Sequence, residues 1–400
     1  MTRLEAALAR AGALLGEARD VVLERVDGPE PPGWCARRGW AGFLLGLPDQ
    51  ALARCEARGL SAAIEDLPGA PTSLRALCAA ARALEDELGT PQGGATAAPA
   101  LPGAGPRKAG QVAALVALAR ERGGPPPTRV VDVGAGRGHL TRALARALGV
   151  PALGLEREPT RVRSATALGA GEAARFEVLD ARPGGLPLRP GDLLVGLHAC
   201  GRLSDVLVEA AREAGVGLLL VGCCLQKTDL PGRSPLSAQG RGLGLDWPRV
   251  VLGLANLHDH APAAAAAWSD TLPARHTRWA LRRLLRARGV DLAPGDELRG
   301  LPRAGLQRGL MAAARPALAG RGLPEATPVE LEEAWRGAGE ELVRARRLAL
   351  PRAVLGRPLE LAVALDRARA LEEAGQSASV RVAFGLAHGP RNLVVVGDSP

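Results

Sequence analysis

The sequence predicts an α/β fold, a mostly parallel sheet with helices packed on it, and three observations support this. From residue 108 onward, short runs rich in Val and Leu alternate with helical patterns, which is the order that parallel sheets require. A glycine-rich turn joins the first of these strands to a helix. No apolar run reaches the roughly 18 residues that a membrane span needs. We therefore expect a protein built on such a sheet and without a membrane partner.

The expected elements follow one another along the chain. Leu and Ala at helical spacing predict a helical N-terminal domain over residues 1–88, and the Ala-, Pro- and Gly-rich stretch 89–106 indicates a linker. A helix is expected at 111–122. The alternating part then comprises strands at 129–133, 152–155, 175–179, 192–197 and 217–221, and helices at 139–148, 160–168 and 204–214.

After residue 230 the alternation stops. Residues 231–375 begin as a Pro- and Gly-rich loop and continue with helical patterns, which predicts a mainly helical insertion. Strands return at 379–384 and 392–396 and suit a closing hairpin with an antiparallel final strand. Residues 107–230 and 376–400 would then form one sheet domain.

Composition narrows the function classes. The net charge of +9 favours an anionic partner such as RNA, although part of the arginine excess follows a general use of Ala, Gly, Pro and Arg. Only 2% of residues are aromatic, which argues against binding by stacking on many bases. Six cysteines in 400 residues do not indicate a disulfide framework, and we expect a cytoplasmic protein. Nothing in the sequence favours DNA or indicates an oligomeric state.

The glycine turn has the pattern Asp132-x-Gly134-x-Gly136-x-Gly138 directly after a strand. Glycines there let a backbone approach a ligand closely and point free N–H groups at it. A dinucleotide site has the spacing G-x-G-x-x-G, which this chain lacks. The pattern instead resembles class I S-adenosylmethionine (SAM) methyltransferases, whose sheet is Rossmann-like. The resemblance implies that the loop packs on the methionine part of SAM and that Asp132 supports the loop.

Two further acids follow the next two predicted strands. Ligands of an open parallel sheet bind at the carboxyl ends of its strands. Glu156 ends the second strand, where a carboxylate can accept both ribose hydroxyls, and Asp180 ends the third, where it can accept from the adenine amino group. Asp180 also fits a simple turn before Pro183.

Reactive side chains follow strands four and five: His198, Cys200, Asp205, Cys223, Cys224 and Lys227. The runs G-L-H-A-C-G and V-G-C-C-L-Q-K resemble the methyltransferase-domain 32 group, which is similar to eukaryotic tRNA acceptor-stem 2′-O-methyltransferases. Those enzymes have a histidine where this chain has Leu225. The run R-K-A-G-Q at 107–111 and the run G-P-R-N-L at 389–393 resemble the group's K-K-x-x-E and S-P-R-N-L motifs. The resemblance implies substrate contacts for Lys108, Arg391 and Asn392.

Four interpretations of the cysteine and histidine cluster stay open at this stage. His198, Asp205 and Lys227 can orient a nucleophile and take its proton. Cys200 or Cys223 can attack a pyrimidine ring, although the D-A-P-C motif of such enzymes is absent. The cluster can bind zinc, which is disfavoured because no C-x₂-C occurs, so we expect no metal. Finally, the cysteines can be small buried side chains.

We therefore expect a SAM-dependent methyltransferase that acts on RNA, with tRNA ribose as one option. Alternatives are a protein or small-molecule methyltransferase, a cysteine-dependent pyrimidine C5 enzyme, and a SAM-binding scaffold without catalysis. Two more segments attract attention. The sequence His258-Asp259-His260 fits a metal pair or a turn, and the arginine-rich stretch 275–288 fits a phosphate track or a solvated helix face.

Overall fold

The computed structural model describes residues 1–28, 30–89, 101, 103–168, 173–181, 185–257, 262–293, 295–301 and 303–399, with only the backbone of 262–270, 303 and 304. The chain forms two compact units. Unit 1 comprises residues 1–19, 80–258 and 355–400, and unit 2 comprises 20–79 and 259–354. These boundaries do not coincide with the expected domains, because the N-terminal segment and the insertion each contribute to both units.

Unit 1 contains a seven-stranded sheet in the order β3-β2-β1-β4-β5-β9-β8. Its strands are β1 (Arg129–Val133), β2 (Ala152–Glu156), β3 (Ala174–Val178), β4 (Asp192–Ala199), β5 (Gly217–Gly222), β8 (Ala378–Val382) and β9 (Leu393–Gly397). β9 runs antiparallel to both of its neighbours, β5 and β8, while β1 to β5 pair in parallel. The predicted α/β fold, a mostly parallel sheet with an antiparallel final strand, is confirmed. A small hairpin, β6 (Gly232–Arg233) and β7 (Trp247–Pro248), lies apart from this sheet.

Unit 1 also contains α-helices, several of which cover the two faces of the sheet. They are α1 (Arg3–Glu17), α8 (Pro106–Glu121), α9 (His139–Leu148), α10 (Pro159–Leu168), α11 (Arg202–Ala214), α12 (Ala238–Gly242), α13 (Arg249–Leu252) and α17 (Gly356–Glu372). Leu115 of α8 and Leu144 of α9 pack with Val195 and Leu219 in one core. Gly196 faces the opposite way, since a Cβ there would lie 2.7 Å from Leu207 of α11. The inner strands β2, β1, β4, β5 and β9 are buried on both faces, which explains their nearly continuous apolar sequences, whereas the edge strands β3 and β8 are partly exposed.

Unit 2 is helical. It contains α2 (Arg19–Leu23), α3 (Gly33–Arg37), α4 (Ala41–Leu45), α5 (Asp49–Arg58), α6 (Leu60–Ala63), the first part of α7 (Thr72–Asp86), α14 (Pro262–Ala287), α15 (Leu310–Ala319) and α16 (Pro328–Val354). Leu281 and Leu285 of α14 pack with Ala313 of α15 and Ala338 of α16. Among the described residues, no helix combines the length and the apolar character that a bilayer crossing requires.

Candidate active site

The glycine loop after β1 has the open backbone that the sequence predicts. Gly134, Gly136 and Gly138 all have positive φ, at 77°, 58° and 73°. The N–H groups of Gly134 and Ala135 both donate to Leu155 O of β2, at 2.8 and 3.1 Å. A Cβ on Gly134 would meet no atom within 4 Å, so space is open above the loop at that residue. The loop therefore offers a cradle that the absence of side chains keeps clear.

Asp132 supports this loop from below. Its side chain is buried and accepts a hydrogen bond of 2.6 Å from the Thr141 hydroxyl of α9. Burial raises the pKa of Asp132 to about 6, although Thr141 and the ammonium of Lys108 both favour the ionised form. Asp132 thus ties the strand before the loop to the helix after it.

Glu156 and Asp180 lie at neighbouring strand ends beside the loop. Glu156 ends β2 and accepts from the N–H groups of Gly136 and Glu158, both at 3.1 Å. Each carboxylate oxygen has lone pairs left for a further donor. Asp180 is half-buried two residues beyond β3, and the N–H of Leu179 donates to Glu156 O. An open glycine cradle flanked by two acceptors fits SAM, whose ribose hydroxyls and adenine amine are donors.

His198 occupies a bulge near the end of β4. The β4–β5 register shifts between Leu197 and Ala199, and His198 has a positive φ of 65°, the only non-glycine with one among the described residues. Its Nε2 lies 3.0 Å from Gln111 Oε1, while Gln111 Nε2 donates to His388 O at 2.7 Å. A backbone carbonyl can only accept, so the Gln111 oxygen faces His198 and the imidazole carries its proton on Nε2. The other nitrogen, Nδ1, is then the acceptor of the ring.

The imidazole stays neutral at ordinary pH. Burial lowers the pKa of His198 to about 4, and the cations Lys108 and Arg107 contribute in the same direction. Lys108 itself is half-buried, and burial lowers its pKa while Asp132 opposes the shift. Lys108 therefore acts electrostatically on both the carboxylate under the loop and the histidine of β4.

The cysteines predicted to converge do so. The sulfurs of Cys200 and Cys223 lie 2.7 Å apart, and both thiols face His198 O, at 3.3 and 3.6 Å. The hydrogen bond from Cys223 lowers the pKa of Cys200, and Lys227 contributes. The same hydrogen bond raises the pKa of Cys223. One thiol of the pair therefore ionises readily while the other retains a proton.

Gly201 explains why the motif after the first cysteine requires glycine. A Cβ there would lie 1.8 Å from Lys227 O, and φ at this residue is +56°. The turn after β4 thus packs directly on the backbone of the turn after β5. The Lys227 side chain is exposed, at the rim of the cysteine cluster.

Asp205 lies in an ion-pair network, and its predicted part in proton removal finds no support in these contacts. Its carboxylate accepts from Arg233 at 3.1 Å and from Arg367 at 2.8 Å. Burial favours protonation, but the two guanidinium groups hold the pKa of Asp205 below its usual value. Asp366 completes the network through Arg233 at 2.7 Å. A cleft of about 730 Å³ lies beside Asp205 and is also lined by Leu225.

The two residues predicted near the C-terminal motif have different surroundings. Arg391 donates to Ala255 O and Asn256 Oδ1, and it also acts electrostatically on Cys223 and Cys224. Asn392 is 3% exposed. Its amide oxygen accepts a hydrogen bond from Arg357, and its amide nitrogen donates one to Phe384 O. The fold therefore uses the Asn392 side chain internally, away from any surface that a substrate reaches.

Sequence reasoning missed Gln111 as the partner of His198 and His388 as the partner of Gln111. Gln111 stands in the motif R-K-A-G-Q, but its contact with His198 depends on how α8 packs against the sheet. Gly110 provides the one local signal, because a Cβ there would lie 2.3 Å from the His388 ring. A glycine inside a helix marks such a close approach.

The arginine-rich stretch does not form a free phosphate track. Arg278 pairs with Glu297, Arg282 with Asp27, Arg283 with Glu341 and Arg288 with Glu330, all within unit 2. The sequence His258-Asp259-His260 lies outside the described residues.

Residues 107–229 match a family model described as a methyltransferase domain, that of the methyltransferase-domain 32 family. The match covers the glycine loop, both acids and the whole cysteine cluster. It confirms the predicted methyltransferase domain and, with it, SAM as the cofactor of this domain.

Solved structures of methyltransferases are also similar to parts of the chain. A TehB-like SAM-dependent methyltransferase from Corynebacterium glutamicum is 19% identical (28% of this chain, 60% of that one, TM-score 0.23). The plantazolicin methyltransferase BpumL with SAH is 15% identical (29% and 46%, TM-score 0.22). The 23S rRNA methyltransferase ErmE is 17% identical (58% and 96%, TM-score 0.24). The chain thus covers less than two thirds of the first two proteins.

Proposed function

We propose that this chain is a SAM-dependent methyltransferase that acts on RNA, with a ribose hydroxyl, as in tRNA, as the acceptor. One observation carries the proposal: the glycine loop that fits SAM follows β1, and the neutral, oriented His198 lies near the end of β4, which pairs with β1. Lys108 acts electrostatically on both Asp132 and His198. We therefore place the cofactor side and the acceptor side in one site. We assign the reaction to residues 107–230 together with 376–400.

The residues have distinct parts in this proposal. When bound, SAM supplies an electrophilic methyl group. Glu156 and Asp180 accept from its ribose and adenine, and the glycine loop leaves room for it. His198 accepts the hydrogen bond of the acceptor hydroxyl and so orients an oxygen lone pair. Because its pKa lies near 4, the imidazole orients the hydroxyl while the proton leaves to water.

Cations on this edge of the sheet support an RNA substrate. Three exposed cations lie here: Arg107 near the start of α8, Arg137 in the glycine loop, and Lys227 after β5. Each cation that contacts a phosphate adds salt dependence to binding. Arg107→Gln should therefore weaken RNA binding at every sequence and reduce the slope of log K against log salt by about one.

The decisive experiment supplies labelled SAM together with separated RNA, protein and metabolite fractions. Label is expected in RNA, in nucleotides whose 3′ bond resists alkali, as 2′-O-methylation predicts. His198→Ala should reduce the rate by roughly 10²-fold, as loss of substrate orientation does, whereas Cys55→Ala in unit 2 should leave it unchanged. Label only in protein or metabolites would overturn the RNA proposal. SAH binding without any labelled product would indicate a scaffold.

The cysteine pair favours a second candidate, methylation of pyrimidine C5 in RNA. That reaction needs a thiolate to attack the ring, and Cys200 is the thiol of the pair whose pKa is lowered. RNA containing 5-fluoropyrimidine should then form a covalent adduct that survives denaturation. The adduct should vanish in Cys200→Ala and persist in Cys224→Ala.

A further inference from the structure

Three thiols, and not two, meet where β4 and β5 end. The sulfurs of Cys200, Cys223 and Cys224 all lie within 4.8 Å of one another. All three cysteines are free. In the part of the chain that the structure describes, no histidine nitrogen or carboxylate oxygen joins this group within the same spacing. The cluster is therefore purely sulfur.

The fold brings the three sulfurs together before any ligand arrives. Cys200 follows the bulge of β4, while Cys223 and Cys224 follow β5, and the two strands are paired up to Ala199 and Gly222. Gly201 then lets the two turns pack backbone to backbone. Cys223 is 8% exposed and the other two are half-buried, so a ligand can enter without unfolding the strands.

This spacing suits a thiophilic metal ion. Thiolates bind Zn²⁺ at about 2.3 Å in tetrahedral geometry, which places ligand sulfurs roughly 3.8 Å apart. A limit of 4.8 Å accommodates that separation. The Cys200–Cys223 pair, at 2.7 Å, would open by about 1 Å when the shared proton is replaced by a metal.

The surrounding charges favour the same ligand. Three thiolates and one divalent ion carry a net charge of −1, and the three displaced protons go to solvent. Lys227 acts electrostatically on Cys200, and Arg391 acts on Cys223 and Cys224. A cation on each side of the cluster therefore compensates the excess negative charge.

We propose that Cys200, Cys223 and Cys224 form a three-thiolate site for a soft divalent ion of the Zn²⁺ or Cd²⁺ type, with a fourth position left for water. The site goes beyond methyl transfer and does not depend on the acceptor being RNA. It fixes the ends of β4 and β5, and it excludes a covalent role for Cys200 while metal is bound.

The test titrates the full-length, reduced protein with Cd²⁺ and follows the ultraviolet charge-transfer absorption of Cd–thiolate bonds. We expect saturation at one equivalent. Removal of any one ligand, in Cys200→Ala, Cys223→Ala or Cys224→Ser, should weaken binding by more than the 10–100-fold typical of an outer-shell partner. The matched control, Cys35→Ala, removes a buried thiol of unit 2 and should bind Cd²⁺ as the natural sequence does.

Cys224→Ser separates this proposal from its rivals. A covalent route or a Cys200–Cys223 disulfide does not need Cys224, whereas the metal site does. SAH binding serves as the check that each variant is folded, and metal binding is measured without SAM or RNA, so its result is separate from the proposed activity. The proposal fails if folded protein shows no Cd–thiolate band, or if the band survives in Cys224→Ser.

Discussion

Gly138 combines a conformational and a steric requirement in one residue. Its φ is +73°, and a Cβ would lie 2.3 Å from the Phe176 ring and 2.9 Å from Arg142. Gly138→Ala should therefore lower the free energy of unfolding by at least about 2 kcal/mol, from backbone strain plus overpacking. Denaturant unfolding of both proteins measures the difference.

Gly149 is the matched control for this prediction. Its φ is +68°, yet a Cβ there would meet no atom within 4 Å. Gly149→Ala should cost only the backbone strain, about 1 kcal/mol. Equal losses at the two positions would contradict the assigned contact with Phe176.

Glu156 should control the affinity for the cofactor. Glu156→Gln keeps the shape but removes the charge, and hydrogen bonds to a charged group contribute about 1.5–3 kcal/mol. The Kd for S-adenosylhomocysteine, measured by calorimetry, should rise roughly 10–100-fold. Glu158→Gln, at an exposed neighbour, should change it by less than about twofold. Equal effects of the two substitutions would argue against Glu156 as the ribose acceptor.

His198 should give the protein a characteristic pH dependence of stability. Its pKa falls from 6.5 to about 4 on folding. Between these values the unfolded chain holds a proton that the folded chain does not, so this group makes stability rise with pH across that window. His198→Gln should flatten the rise, as measured by unfolding free energies at pH 4.5 and 7.

Asp132 should change the pH dependence of stability in the opposite direction. Burial raises its pKa to about 6, so the folded chain holds the extra proton and the contribution of this group is lost as pH rises from about 4 to 6. Asp132→Asn should therefore steepen the rise that His198→Gln flattens. A change of the same sign in both variants would refute the two assigned environments.

Residue types at strand ends were predictable, but their partners were not. Asp132, Glu156 and the cysteines sit where spacing and strand alternation place them, because the carboxyl ends of parallel strands share one edge. Asp205 and Asn392 were also predicted from their motifs, but arginines of α17 and β6 donate hydrogen bonds to their side-chain oxygens. Those arginines are more than 25 residues away along the chain, and periodicity carries no information about them.

At the scale of elements, the buried ion-pair network connects α11, α17 and the loop that contains β6. Asp366 accepts from Arg233, from the N–H of Leu236 and from both the N–H and the hydroxyl of Ser237. Removing one partner of a buried pair leaves an uncompensated charge. Asp366→Ala should therefore destabilise the protein by about 3–5 kcal/mol in denaturant unfolding.

The exposed pair Arg336–Glu332 is the control for this network. Both side chains are about 70% exposed, at 69% and 72%. Glu332→Gln should change stability by less than about 1 kcal/mol. An equally small loss of stability in Asp366→Ala would show that the buried network contributes no more than an exposed ion pair.

The presence of each sheet strand was predicted correctly, but the residue at which a strand ends was not always. All seven sheet strands were expected, but β4 extends to Ala199 and includes His198 in a bulge. A bulge arises from pairing with a neighbouring strand, which one strand's sequence does not encode. The conformation of His198 was therefore beyond sequence analysis, although the residue itself was not.

For the molecule as a whole, a ligand bound at the sheet should stabilise the unit that holds it. At a concentration 100 times Kd, S-adenosylhomocysteine stabilises the state that binds it by about 2.7 kcal/mol. Hydrogen exchange should slow at amides of β1 and β4 in unit 1 and stay unchanged in α14 and α16 of unit 2. Equal protection in both units would contradict this expectation.

The division into units follows packing more than composition. Low-complexity sequence predicts a linker at 89–106, but α7 contributes residues to both units and the N-terminal helix α1 packs with α17. Composition does not predict such units, because the contacts that define them join distant parts of the chain.

The Gln111 amide determines which ring nitrogen of His198 carries the proton. Hydrogen runs from its nitrogen to His388 O, and from His198 Nε2 to its oxygen, so the ring can receive but not offer a proton at its remaining nitrogen. The hydrogen bond that Gln111 donates to His388 O thus sets the tautomer of His198, and a hydroxyl that approaches the remaining ring nitrogen must donate to it.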